Sequence, residues 1–558
     1  MSRIGWIVGI LLLVLIGVAV WVVQDERLGI ETRPPDHFAQ MSRAEQAEWL
    51  AKQVLARASR HDWWAQLERR LLRQRDPHWD PLTIDEVKAV GAAGVAYERP
   101  WLIRHAQRRV ADCEGRYWLS IYLMELYAKR GKVQAIWREA RQITHKDRRA
   151  FALASAGARL WQQGNHAEAQ RCFAAAIDLL KQSQHLRESD GYCGALQVLA
   201  RYSPGYEDSF VLSELLYDYE SLRDVAEEWL AQGNHMPLRT LVQLTQKQPT
   251  HYSLVVRALL AIGLIEAGKL EEGYRILPNR IPAVDAIRLA RALYRQKRTA
   301  QARAVLNAVQ RITALEVGIH PEPRLLRVLE SALLSLRDPV VSYQNVPYRM
   351  PRVRTKRARI IVPAYDGSVA VRGFPKPLTV FSDDWVDQKV AHYVDTAVTL
   401  DMRRKQFYPA CREMGACDAL EALTKQASDV ARIQLHLEAA ACYHQAGQQA
   451  KAQEQIAAAI RALNGISYSD SLVQGIRSLH QVGAHALADQ FLQGATRWVE
   501  RIPSGERISA IRLLAFAYAA NGDYVQAIRA ALALPSPYLQ RDALAGILEE
   551  MLRHEQAR

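Results

Sequence analysis

The apolar and polar positions of this 558-residue chain follow two patterns, one continuous and one periodic. Positions 4–23 are apolar and carry no charge. At about 1.5 Å of rise per residue, a helix of that length matches the roughly 30 Å hydrocarbon core of a bilayer. Trp6 and Trp21 stand near its ends, where amphipathic rings favour the membrane interface. The run is longer than the apolar region of a cleaved signal peptide, so it predicts a retained single-pass anchor. The periodic pattern begins later. From Gly157, the residues Leu160, Gly164, Ala169, Phe173 and Ala176 follow at fixed offsets. The same offsets return as Ala440, Tyr443, Gly447, Ala452, Ile456 and Ala459, and again as Ile476, Leu479, Gly483, Ala488, Leu492 and Ala495. A further copy is Ala515, Tyr518, Gly522, Ala527, Ala531 and Leu534. The glycine suits a helix end in the left-handed conformation. The residues after it lie on one face of a second helix, so each copy predicts a helical hairpin. One hairpin cannot bury its apolar face alone, whereas a stacked row buries a continuous core.

Weaker copies extend the array. Met124, Tyr127, Gly131, Ile136, Ala140 and Ile143 precede the Gly157 copy by 33 residues. Partial copies are Ala226, Trp229, Gly233, Leu238 and Val242, then Ala261, Leu264, Gly268 and Leu277, then Ala290, Leu293, Ala302 and Leu306. On these residues the chain resembles the tetratricopeptide-repeat superfamily, whose period is about 34 residues. The resemblance is plainest over 117–180 and 433–540 and looser over 210–312. The Trp usual early in the first helix and the proline usual at the unit's end are absent from most copies. The resemblance implies an α-solenoid, so the expected fold is all-α: an N-terminal transmembrane helix read from the apolar run, then a degenerate TPR-like α-solenoid, interrupted by a short extended or β-hairpin segment.

The expected organisation is a cytoplasmic head at 1–3, the anchor at 4–23, and a linker with a helical entry region at 24–110. An N-terminal array at 111–338, a Pro/Arg-rich insertion at 339–382 and a C-terminal array at 383–558 follow. In the entry region Thr83 and Glu86 form a capping-box pattern that should start a helix. In the insertion, Pro339, Pro347, Pro351, Pro363, Pro375 and Pro377 are too frequent for a helix interior. The apolar runs 360–362 and 369–371 flank an Asp366-Gly367 turn signal and predict a β-hairpin. Just before it, Arg349, Arg352, Arg354, Lys356, Arg357 and Arg359 form the densest basic run, a candidate anion-binding segment for nucleic acid, cell-wall polymer or anionic lipid. A solvated loop paired with Asp383, Asp384 and Asp387 is the plainer reading. The insertion also predicts a division of the body into two arrays.

The net charge of +14 and the pI near 9.5 change this picture little, because arginine is spread along the helices beside Glu and Asp. Among six cysteines there is no CxxC and no Cys/His zinc spacing. Cys411 and Cys417 are the best candidates for a local disulfide in an oxidising compartment, against the alternative of two unpaired small apolar residues. No phosphate-cradling glycine loop, GxSxG or HExxH occurs. The expectation is therefore a protein that is not an enzyme and uses no cofactor.

TPR-like repeats imply a groove lined by successive first helices. The repeat register projects Trp161 and Gln162, then His444 and Gln445, then Arg477, His480, Gln481 and Arg512 onto it. Such a polar and basic lining suits extended or acidic protein segments. The expected function is a non-catalytic scaffold or assembly factor of an envelope complex, of the secretion, pilus or polysaccharide-export type. It would be tethered to the inner membrane through 4–23 with its body in the periplasm. The alternative is a polyanion-binding module that uses the 349–359 segment, with anionic polymer or lipid favoured over nucleic acid.

Overall fold

The computed structural model describes residues 30–58, 81–187, 189–202, 209–216, 219–247, 253–318, 368–381, 406–425, 427, 429–463 and 471–556. The expected anchor at 4–23 and the basic run at 349–359 lie outside them, and no described helix is long and apolar enough to cross a membrane. The chain is mostly helical and divides into two compact units, Met1–Thr144 with Ile502–Arg558, and His145–Arg501. Neither boundary falls in the insertion at 339–382, because repeats on both sides of it belong to the second unit.

The first unit contains α1 (Arg43–Ala56), α2 (Ile84–Ala96), α3 (Pro100–Gln107), α4 (Cys113–Lys129) and α5 (Val133–Ala140). From the far end of the chain it takes α21 (Ser504–Ala520), α22 (Tyr524–Leu532) and α23 (Pro537–Gln556). The second unit contains α6 (Lys146–Gln162), α7 (His166–Lys181), α8 (Asp190–Tyr202), α9 (Ser209–Leu215), α10 (Tyr219–Ala231), α11 (Met236–Lys247), α12 (Ser253–Glu266) and α13 (Leu270–Ile276). These are followed by α14 (Ala283–Arg295), α15 (Thr299–Gly318), a helical stretch at 406–413, α16 (Cys417–Thr424), α17 (Asp429–Gln445), α18 (Gln449–Ala462), α19 (Ser471–Gln481) and α20 (His485–Arg501).

Consecutive helices pair as hairpins, and the offsets seen in the sequence correspond to one hydrogen-bonding motif. At the α4/α5 turn, Lys132 N–H donates to Tyr127 O at 2.8 Å and Gly131 N–H donates to Ala128 O at 2.9 Å. Gly131 itself has φ of 64°. This is the Schellman arrangement, which satisfies carbonyls that a helix end leaves without partners. The same pair of bonds closes the turns at Gly164, Gly233, Gly268, Gly415, Gly447, Gly483 and Gly522. Two further turns use other residues in the left-handed position, Glu98 and Lys297. The Lys297 turn belongs to the partial copy beginning at Ala290. The turns at Glu98 and Gly415 mark hairpins that the sequence pattern does not isolate.

Small residues sit where helices approach closely. A Cβ at Gly157 would lie 2.7 Å from the Phe173 ring, and one at Gly475 would lie 2.6 Å from Leu437. First helices pack on their own second helix and on the next first helix in α6 with α7 and α8, and in α17 with α18 and α19.

The first unit closes with a hairpin made from both ends of the chain. As a first helix, α23 packs on α21 and on α2, and it takes α1 as its second helix. Ala47, Ala51 and Val54 of α1 are fully buried at the spacing that Ala169, Phe173 and Ala176 show in α7. They join Leu544, Ile547 and Leu548 of α23 in one apolar core.

In the second unit, β1 (Arg280–Pro282), β2 (Ser368–Val371) and β3 (Leu378–Phe381) form a three-stranded sheet in the order β1-β3-β2. The run 369–371 is a strand, as predicted, but its antiparallel partner is β3. The turn between them passes through Gly373 at φ of 93°. The other expected strand, at 360–362, and the Asp366-Gly367 turn lie outside the described residues. Parallel pairing of β3 with β1 fixes the hairpin to the repeat array. Tyr274 packs edge-on against Phe374 and donates to Gln301, whose amide in turn donates to Gly373 O.

The expected disulfide between Cys411 and Cys417 does not form. Cys417 is bonded to Cys442 of α17, with Cα atoms 5.5 Å apart, and Cys411 is a buried thiol. The Gly415 turn explains this. Cys411 precedes the turn, where its carbonyl accepts from Ala416 N–H, whereas Cys417 opens α16, which packs on α17.

Candidate functional site

The first helices of the second unit bring charged residues together, some of them one or five positions after the small residue of a repeat. Glu227 of α10 pairs with Arg288 of α14 at 3.0 Å and accepts from Gln406 at 3.2 Å. Glu413 accepts from Arg291 at 2.7 Å and from Arg295 at 2.8 Å. Arg295 also lies 3.9 Å from Glu266 of α12. Deeper in the unit, Arg223 pairs with Asp285 at 3.0 Å. Arg412 pairs with Glu438 of α17, whose other oxygen accepts from Ser478 of α19 at 2.6 Å. Gln481 lies 3.5 Å from the same guanidinium. A polar seam therefore runs from α10 to α19 and ties the repeats before the insertion to those after it.

Electrostatics along the seam follow depth. Burial raises the Glu438, Asp285 and Glu266 carboxyls above the ordinary range despite the arginines beside them. Burial acts on Glu413 in the same direction, but hydrogen bonds from Arg295 and Arg291 and their charges outweigh it and hold Glu413 low.

The predicted groove residues divide into three places. His444, Gln445, Arg477, His480 and Gln481 lie on α17 and α19, adjoining first helices that pack together. His444 contacts Gln449 at 3.2 Å, and His480 packs edge-on against His485 with ring centroids 4.7 Å apart. Gln445 is exposed and Arg477 half-buried. Trp161 and Gln162 lie apart from these on α6. Trp161 packs against His166 and Phe173, and Gln162 contacts the Tyr202 hydroxyl at 3.3 Å. Arg512 belongs to the first unit, where it pairs with Asp542 at 2.5 Å and covers the Phe516 ring.

Of the seam residues, Glu227 and Arg291 occupy the offset that projected Arg477, whereas Arg412 and Glu413 belong to the Gly415 hairpin that the sequence pattern does not isolate. Beside the disulfide lies a second polar group, in which the Tyr443 hydroxyl contacts Asp418 at 2.8 Å and Glu421 at 2.6 Å. Among the described residues no cluster of His, Cys, Asp and Glu has metal-holding geometry. What the α17/α19 face offers is polar and cationic contact along two adjoining helices, with Glu438 paired to Arg412.

No family model and no curated protein matches this chain. Among solved structures, one described as "Circular tandem repeat protein with novel repeat topology and enhanced subunit contact surfaces" is similar at 13% identity, over 85% of this chain and 96% of that one. Its TM-score is 0.15, too low to carry an argument about this fold.

Proposed function

We propose that this chain is a TPR-like scaffold, tethered to the inner membrane through 4–23, that holds extended or acidic segments of partner proteins on the α17/α19 face. The observation that carries this reading is the recurrent Schellman-closed hairpin, which sets polar first-helix residues in register along a stack. The α17/α19 face supplies Arg477, His444 and His480 together with the amides of Gln445 and Gln481, a lining complementary to carboxylates. The buried Cys417–Cys442 disulfide supports folding in an oxidising compartment, in keeping with a body exported across the membrane. An envelope complex is the corresponding setting, with the repeats joining components rather than catalysing a reaction.

Photo-crosslinkers placed at Gln445 and Gln481, with a control at exposed Arg171 of α7, test this reading in membranes. Protein adducts specific to the first two positions, resistant to high salt and lost in Arg477→Glu, are the expected result. Equal adducts at all three positions, or recovery of salt-labile nucleic acid or polymer alone, would overturn it in favour of the polyanion-binding module.

A further inference from the structure

One end of the first unit gathers the residues just before α1 with the start of α23. Glu31 N–H donates to Gln53 Oε1 at 2.9 Å, and Glu31 O accepts from the Arg57 guanidinium at 2.6 Å. The same guanidinium donates to Gln540 of α23 at 3.1 Å. Arg541, buried beside it, donates to Glu86 of α2 at 2.8 Å and approaches the carbonyls of Pro81 at 3.0 Å and Arg57 at 3.4 Å. At the rim of this bonding stand Ile30, 44% exposed, and Tyr538, 40% exposed, whose ring centroid lies 5.3 Å from the Arg541 guanidinium. Among the described residues of the first unit, these are the large apolar side chains left exposed. Arg33, three residues after Ile30, is exposed as well. The stretch 59–80, which joins the unit here through Ala58 and Pro81, carries Trp63, Trp64 and Trp79 in its sequence.

Chain length limits where this end can lie. Ile30 follows Val23, the last residue of the apolar run, by seven positions, and an extended chain covers at most about 3.6 Å per residue, or about 25 Å in all. The far end of α23, at Gln556, stands about 27 Å along the helix from Tyr538 at about 1.5 Å of rise per residue. A tether this short holds the near end at a millimolar effective concentration against the bilayer, so a contact too weak to form between free partners is populated. Its side chains match that surface: tyrosine has an apolar ring with a wet hydroxyl, tryptophan and tyrosine favour the headgroup level, and arginine pairs with lipid phosphate. We infer that this end of the first unit, presenting Ile30, Arg33 and Tyr538, is a membrane-contact surface for the headgroup region of the bilayer that holds the anchor, an inference that rests on the tether in the proposed function. The helices α2 and α23 then stand with their first turns toward the lipid and the Glu98 turn away from it.

The test uses the full chain in vesicles of phosphatidylethanolamine and phosphatidylglycerol whose headgroups carry a nitroxide quencher. A fluorophore is attached in turn at positions 30, 538 and 556. Flotation with the vesicles reports the tether, and quenching reports the contact. Emission is expected to be lost at 30 and 538 and retained at 556. Ile30→Glu is expected to restore emission at 538 while flotation and the melting profile stay unchanged, which separates surface contact from loss of folding. A chain that floats yet keeps its emission at 538 would overturn the inference, leave the tether standing and give the patch to a protein partner. Equal quenching at 538 and 556 would also overturn it, since the unit would then have no preferred end. A chain that does not float would remove the tether and this inference together.

Discussion

Glu98 and Lys297 occupy the left-handed position that glycine fills in the other repeat turns, and the two carry that strain in different company. A side chain there costs about 1–2 kcal/mol. Glu98 is fastened to the next turn, 3.3 Å from Lys129 and 3.8 Å from Arg130, and its carbonyl accepts from Arg130 at 2.9 Å. Lys297→Gly is therefore expected to stabilise the α14/α15 hairpin by about 1 kcal/mol. Slower amide exchange in those helices would show it. Glu98→Gly should gain less, because the relief is offset by exposed ion pairs worth about 0–1 kcal/mol. At this scale the sequence is a good guide wherever glycine holds the turn, since the residue three after the small one and the glycine itself are two ends of one hydrogen-bonded motif. It is a poor guide at Glu98, where a charge links neighbouring repeats in place of the expected residue.

Between elements, Glu413 and the disulfide make separate predictions. Glu413 titrates below its ordinary range in the folded chain. Its stabilising effect is therefore complete above the unfolded carboxyl value of about 4.3 and is lost as pH falls through the folded one. Glu413→Gln should cost about 1 kcal/mol at pH 7, a figure reduced by solvent screening of the pair, and the difference from the unaltered protein should shrink as pH falls below the ordinary carboxyl range. Denaturation followed across pH measures the convergence. Glu438 acts in the opposite sense: burial raises it, so proton uptake there favours the folded state as pH falls. The disulfide closes a sequence separation of 25 residues, and Cys417→Ser is expected to destabilise the second unit by about 3 kcal/mol, an effect that reductant should reproduce. The pairing was hidden in the sequence because Cys411 and Cys417 are close along the chain but stand on opposite sides of a helix turn. Likewise the strand at 369–371 was legible as an apolar run, whereas its partner at 378–381 follows two prolines.

Over the whole molecule, two compact units predict two calorimetric transitions. Arg541→Ala leaves Glu86 buried without its partner and should lower the first unit by about 3–5 kcal/mol, while reduction of the disulfide should lower the other. A single transition shifted by both changes would contradict this assignment. Sequence order hides the hairpin that joins the chain ends, since α23 and α1 match as first and second helix only when the sequence is read across its termini. That junction also sets a timetable for synthesis. Residues 43–56 leave the ribosome roughly 480 residues before 537–556 do, an interval of about 24–96 s at about 5–20 residues per second. Throughout it Ala47, Ala51 and Val54 lack the α23 surface that covers them in the folded unit, so this apolar face of α1 stays open until the last helix arrives.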